Sequence, residues 1–312
     1  MRSRVLGLLC VVVLAGTFTG VPTLTESQPA EAIATTSLCH IAPGDTAVGI
    51  ASTTDGMGYW IATARGYVLA PCFGDANPYG QMGGKRLNAP IVGITATSDG
   101  KGFWLVASDG GVFAFGDASF YGSMGGKPLN APVVGMAATS DGGGYWLAAA
   151  DGGAFAFGDA RFGGSYVGVL QPGEPVVAIA SLPIEAPNEH YIMATAKGDV
   201  AAFGFTGGSF PGGYFGPLNA PMTGIAWAGG LGWWIAAADG GVFAAGAPDQ
   251  VCGDSGCGYV GNTPFYGSIG GKPLNAPMVG IAATPSKHGY WLIAADGGVF
   301  AFGNALFFGS AA

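Results

Sequence analysis

Short apolar runs alternate with glycine- and aspartate-rich punctuation along most of the chain. In one stretch, Val133-Val-Gly-Met-Ala-Ala138 is followed by polar Ser140-Asp-Gly-Gly-Gly144. Tyr145-Trp-Leu-Ala-Ala-Ala150, the tight Asp151-Gly-Gly153 and Ala154-Phe-Ala-Phe157 come next. Runs of roughly four to seven residues, rich in β-branched and aromatic side chains and bounded by Asp/Gly, predict strands. Asp-Gly-Gly suits a two-residue hairpin turn, because glycine accepts positive φ without steric cost. No sustained 3.6-residue apolar period appears, so little or no helix is expected. The runs are apolar on both faces, as strands are in a small sheet sandwiched between two others.

The pattern is a repeat. Phe120-Tyr-Gly-Ser-Met-Gly-Gly-Lys-Pro-Leu-Asn-Ala-Pro132 recurs from Phe265 to Pro277 with a single Met/Ile difference, and from Pro78 to Pro90 in a more divergent form. Six units follow, anchored at Trp60, Trp104, Trp146, Ile192, Trp234 and Trp291. Their spacing is about 44 residues, apart from a longer last step, and that period with three to four antiparallel strands predicts a β-propeller blade. The expected architecture is therefore all-β: one propeller domain over 35–312, with six blades and an insertion at 247–264. Seven blades would require the insertion or the N-terminus to complete another. A solenoid with one strand per turn is the alternative, although its period would be shorter. A short fourth strand is expected near Phe120-Tyr-Gly-Ser, and residues 35–47 are expected to pack on the last blade. Units four and five are the most divergent.

Asp109-Gly-Gly-Val-Phe-Ala-Phe-Gly-Asp117, followed by Tyr121-Gly-Ser-Met-Gly125, resembles the blade signature of the regulator of chromosome condensation family. Gly74-Asp-Ala-Asn-Pro-Tyr-Gly-Gln-Met-Gly83 comes nearest to that family's Gly-x-Asn-x-x-Gly-Gln-Leu-Gly. The resemblance extends over all six units and implies the propeller fold. The chain departs from the family in its shorter blades, its Tyr-Trp pairs, its N-terminal leader and its acidity, so nucleotide exchange and chromatin binding are not implied. It is also similar to the glycine-rich propeller repeats of secreted actinobacterial proteins.

Composition narrows the function classes. Of 312 residues, 59 are glycine and 49% are apolar, which separates the chain from disordered tails that lack material for a core. A net charge of −8 without a Lys/Arg cluster argues against nucleic acid or an anionic lipid surface as partner. Arg2 and Arg4 precede the apolar run Val5–Gly16, and Ala-x-Ala sites end at Ala32 and Ala34. Residues 1–34 thus read as a signal peptide, with a retained membrane anchor as the alternative. No later segment has the length and apolarity of a span. A secreted or envelope-associated, extracytoplasmic monomer is expected.

Cysteine usage fits that compartment. Cys39 and Cys72 are expected to staple the free N-terminus to the first unit, and Cys252 and Cys257 to close a small ring. Zinc, the alternative, would need four ligands, and C-x4-C supplies two. His40, His190 and His288 fall outside the recurrent motif, and no nucleophile elbow, zincin pair or phosphate loop is present. Neither catalytic residues nor a metal or cofactor is expected. Asp109, Asp151, Asp239 and Asp296, each followed by Gly-Gly, read as turn residues, because calcium needs clustered oxygens. The asparagines before Ala-Pro read the same way.

The Tyr-Trp pairs read as inter-blade core. As ligand candidates, Tyr79, Tyr121 and Tyr266 with Lys85, Lys127 and Lys272 in glycine-rich loops would give equivalent pockets around a ring, where avidity compensates weak single sites. The expected role is a non-catalytic binding or scaffold module recognising cell-wall polysaccharide. A protein–protein platform using units four and five, and a hydrolase or isomerase with a site assembled at a channel mouth, are the alternatives.

Overall fold

The computed structural model describes residues 39–183, 190–205, 217–230, 232–246 and 263–312, with the backbone of strands 210–214, 250–253 and 256–259. The leader proposed at 1–34 lies outside the described residues. All described regular structure is β. Sheet 1 contains β1 (Ala47–Ser52), β2 (Tyr59–Thr63) and β3 (Val68–Leu69). Sheet 2 contains β4 (Ile91–Ala96), β5 (Gly102–Ala107) and β6 (Val112–Gly116), and sheet 3 β7 (Val133–Ala138), β8 (Gly144–Ala149) and β9 (Ala154–Gly158). Sheet 4 contains β10 (Val176–Ser181), β11 (Tyr191–Thr195), β12 (Asp199–Phe203) and β13 (Phe210–Tyr214). Sheet 5 holds β14 (Met222–Gly229), β15 (Gly232–Ala237) and β16 (Val242–Gly246). The hairpin β17 (Gln250–Gly253) and β18 (Gly256–Tyr259) follows, and sheet 6 holds β19 (Met278–Ala283), β20 (Gly289–Ala294) and β21 (Val299–Gly303). Strands are antiparallel and in sequence order within every sheet.

One register recurs. The first two strands of each sheet carry a bulge at the same place, at Ala47/Gly49, Ile91/Gly93, Val133/Gly135, Val176/Ala178, Met222/Gly224 and Met278/Gly280. The small residue at the bulge lets neighbouring first strands approach: a Cβ on Gly224 would lie 3.1 Å from the Gly280 Cα.

The first strands also join the sheets. Ile91, Val133, Val176, Met222 and Met278 each donate a backbone N–H to a carbonyl in the turn between the second and third strands of the preceding sheet, at 2.9–3.0 Å. Ala47 donates in the same way to Ala295 of sheet 6, at 2.9 Å. β1 packs on β4, β4 on β7, β7 on β10, β10 on β14, β14 on β19, and β19 on β1. The six sheets thus follow one another in a closed cycle of contacts, consistent with a six-bladed β-propeller. The 250–259 insertion forms a two-stranded hairpin of its own rather than a seventh unit.

Second strands form the core. Every described residue of β2, β5, β8, β11, β15 and β20 is buried. A buried indole needs a partner for its N–H. Trp60, Trp104, Trp146, Trp234 and Trp291 donate Nε1–H to the carbonyls of Asn77, Ser119, Arg161, Pro264 and Leu306, at 2.7–2.8 Å. These acceptors lie in the segment that leaves the third strand, so the tryptophans pin that segment in place.

Among the described residues that segment is strand only in sheet 4, as β13; the fourth strand expected near Phe120-Tyr-Gly-Ser does not form. Instead it crosses toward the next sheet. The Tyr121 amide donates to the Tyr145 hydroxyl at 3.1 Å, and that hydroxyl donates to the Gly122 carbonyl at 2.6 Å. The free edge of the third strand is partly capped by side chains, Val68 N–H donating to Gln81 Oε1 and Val299 N–H to Ser310 Oγ.

At the start of the described chain, the Ile41 N–H donates to the Ala311 carbonyl at 3.0 Å. Ile41, Cys72, Trp291, Val299 and Ala311 share one apolar cluster. Cys39 and Cys72 form a disulfide that ties this segment to sheet 1. Cys252 and Cys257 face each other in the β17–β18 register; the bond expected between them lies outside the described residues. No described helix is long and apolar enough to cross a membrane.

Candidate functional site

The six tyrosines and lysines singled out from sequence do not come together. Tyr79 and Tyr121 are half-buried, and their hydroxyls donate to Gly100 O (3.2 Å) and Gly142 O (2.7 Å) in the first hairpin turn of the following sheet. Tyr121 packs between Trp104 and Tyr145, and Tyr266 between Trp234 and Tyr290. These rings mortar adjacent sheets together. Lys85, Lys127 and Lys272 are exposed, in turns whose amides bond Met82, Met124 and Ile269. Met124 in turn bonds Gly110, in the second hairpin turn. Tyrosine and lysine therefore sit toward opposite ends of a sheet.

What the segment leaves in the open is its neighbouring phenylalanine. Phe120, Phe162, Phe265 and Phe307 precede the segment's glycine by two residues and are 57–63% exposed. In an extended segment successive side chains point to opposite sides, so burying Tyr121 turns Phe120 outward. The sequence singles out the tyrosine for its recurrence near a lysine in a glycine-rich loop; the alternation beside it is the signal for the phenylalanine. Single exposed apolar residues are ordinary on a surface, whereas four at one repeat position form a pattern.

Two of these rings border a groove. On sheet 2 a cavity of about 260 Å³ is lined by Asn88, Asp109, Phe113, Phe120 and Ser123, and on sheet 3 one of about 270 Å³ by Asn130, Asp151, Phe155, Phe162 and Ser165. The recurrent aspartates turn the backbone: Asp109, Asp151, Asp239 and Asp296 each accept, through Oδ1, the N–H of the glycine two residues on at 2.9–3.0 Å. The turn thereby fixes a carboxylate at the edge of each groove. The largest of these cavities, about 510 Å³, lies at the matching place on sheet 1 between residues 40–45 and 78–81.

No family model matches this chain, and no curated protein is similar to it.

The remaining polar features are scattered. His190 is buried with its ring tilted against Phe205, centroids 4.3 Å apart, whereas His40 reaches Ala312 O at 3.3 Å and His288 is exposed. No three metal-binding side chains come together among the described residues. Two carboxyls come together on sheet 4. There Glu174, buried and accepting a bond from Thr195 Oγ1 at 3.0 Å, faces Asp199. The hydrogen bond with Glu174, with burial and the adjacent charge, raises Asp199 to about 6, while that same bond lowers Glu174. The pair holds one proton more readily than two isolated carboxyls would.

Proposed function

We propose that this chain is a six-bladed β-propeller acting outside the cytoplasm as a non-catalytic binding module, and that it recognises polysaccharide through its peripheral grooves. The observation carrying this reading is the recurrence, on sheets 2 and 3, of an exposed phenylalanine beside a carboxylate, an asparagine and a serine. A sugar ring has an apolar C–H face that an aromatic ring can cover and a rim of hydroxyls that carboxylate and amide groups can bond. Each groove is small and open, so one site binds weakly and a polymer bridging several gains by avidity. The disulfide fits an oxidising compartment, and the acidic surface disfavours anionic polymers.

The test is co-sedimentation with purified cell-wall polysaccharide. Saturable pelleting that falls at least tenfold in F120A/F162A/F307A, with melting temperature unchanged, supports the reading. Pelleting indifferent to these rings, or none at high micromolar protein, refutes it.

One observation favours a protein platform instead. Phe162, Val167 and Val169 are 57–67% exposed within a short segment leaving sheet 3. A charged substitution at Val169 that abolishes capture of a protein while sparing sugar binding would support this second reading.

A further inference from the structure

The two phenylalanine-bordered grooves differ at one charged position. Arg86, Leu87, Asn88, Asp109, Phe120 and Ser123 line the groove on sheet 2, and Pro128, Leu129, Asn130, Asp151, Phe162 and Ser165 that on sheet 3. Five of these positions carry the same residue, and the first exchanges proline for arginine. Pro217 and Pro273 hold the same place before sheets 5 and 6, Gln171 before sheet 4 and Ala42 before sheet 1. A cation at this position therefore belongs to sheet 2 alone.

That cation is open to a ligand. Arg86 is exposed, and among the described residues it forms no ion pair, the pair there being Lys101–Asp99. Asp109, in the same groove, spends Oδ1 on the Gly111 N–H at 2.9 Å and is not paired with Arg86. A guanidinium is a planar fork of N–H donors that matches the two oxygens of a carboxylate. It can also take a phosphate. A phosphate monoester, however, brings close to two negative charges into a groove that already holds the Asp109 carboxylate. A carboxylate brings one, which Arg86 offsets.

We propose that the sheet 2 groove selects a carboxylated sugar, a uronic acid, with its carboxylate on Arg86, its C–H face on Phe120 and its hydroxyls at Asn88, Asp109 and Ser123. This inference rests on the polysaccharide reading and deepens it, naming one unit of the polymer and the sheet that reads it. The net charge of −8 opposes a polymer charged at every sugar. The uronic acid therefore enters as an isolated unit, with neutral sugar at the sheet 3 groove, where Pro128 offers no charge.

Binding of glucuronate, glucuronamide, glucose 6-phosphate and acetate to the purified, oxidised protein would be measured by protein-observed NMR titration at low ionic strength. Glucuronate is expected to shift the amides of Asn88, Gly111 and Ser123. It should bind at least about threefold more tightly than glucuronamide, which keeps the ring but loses the charge. Added salt should shrink that preference, because the groove is open to solvent. Arg86→Pro installs the residue that three other units carry and so keeps the turn; it should erase the preference with the melting temperature unchanged. Arg86→Gln, which keeps a hydrogen-bonding side chain without the charge, should do the same. Equal binding of glucuronate and glucuronamide, or a preference that survives in both Arg86 variants, would overturn the assignment. Acetate binding as tightly as glucuronate would show a bare anion site, and tighter binding of glucose 6-phosphate a phosphate site; either result overturns it as well. Polymer pelleting lost in F120A/F162A/F307A, with no preference for glucuronate, would leave the polysaccharide reading standing while this one failed. An Arg86-dependent preference beside pelleting indifferent to those rings would do the reverse.

Discussion

At the scale of single residues, side chains with the same place in the repeat do different work because their neighbours differ. On sheets 2 and 3 the second strand ends in alanine and the turn carries Asp-Gly-Gly; on sheet 4 these become Thr195 and Lys197-Gly-Asp199, facing Glu174. Two carboxyls brought together share a proton, which makes stability depend on pH. Asp199, raised from an ordinary 3.8 to about 6, binds its proton more tightly folded than unfolded. Its contribution is therefore full below about pH 4 and is lost as pH rises through 6. Glu174, lowered, acts oppositely: its contribution is present above its ordinary 4.5 and fades at more acidic pH. Asp199→Asn keeps a hydrogen-bonding side chain but removes the repulsion. Chemical denaturation at pH 8 should find it more stable than the parent, with the gap closing by pH 4. An unchanged gap across that range would mean that the two carboxyls do not interact.

At the scale of the element, the outgoing segment of each repeat decides what the surface presents. Tyr-Gly-Ser makes a sharp crossing: Gly122 has φ +136°, and a Cβ there would lie 2.6 Å from the Phe157 ring of the following sheet. Four residues on, Gly126 also has positive φ (+78°), but a Cβ would meet nothing within 4 Å. Gly122→Ala should thus cost about 2–3 kcal/mol from strain and overlap together, and Gly126→Ala only about 1 kcal/mol from backbone strain. Urea denaturation of the two variants should show that order, and equal costs would mean that the crossing relaxes freely. The three strands and their Asp-Gly-Gly turns were legible in sequence because local spacing and turn chemistry encode them. The outgoing segment was not. In the segment leaving sheet 2 its conformation is set by Trp104 on its own sheet bonding Ser119, and by Tyr145 on the next sheet bonding Gly122, contacts that no local window contains. For the same reason the choice of Tyr121 over Phe120 could not be settled before the direction of each side chain was known.

At the scale of the whole molecule, the question is what holds the first sheet to the last. Between other neighbouring sheets the chain itself runs across; between sheets 6 and 1 it does not, and the join rests on non-covalent contacts. The Ala47 amide bonds Ala295, Ile41 bonds Ala311, and the Tyr59 hydroxyl bonds Gly309 O at 2.5 Å. Cys39–Cys72 spans 33 residues and fixes Ile41 beside this seam. The cysteine spacing announced the staple, but only the fold shows that it fastens the residues that close the cycle. A loop of that length gives about 3–4 kcal/mol by the chain-entropy estimate. Cys39→Ser/Cys72→Ser should therefore lower the stability measured by denaturation by about that amount. Hydrogen exchange should localise the loss, with amides of β1 and β21 exchanging faster and those of β8 and β11, on the far side of the cycle, changing least. A uniform rise in exchange would instead mean that the six sheets unfold as one unit, and that the disulfide stabilises the whole cycle rather than its seam.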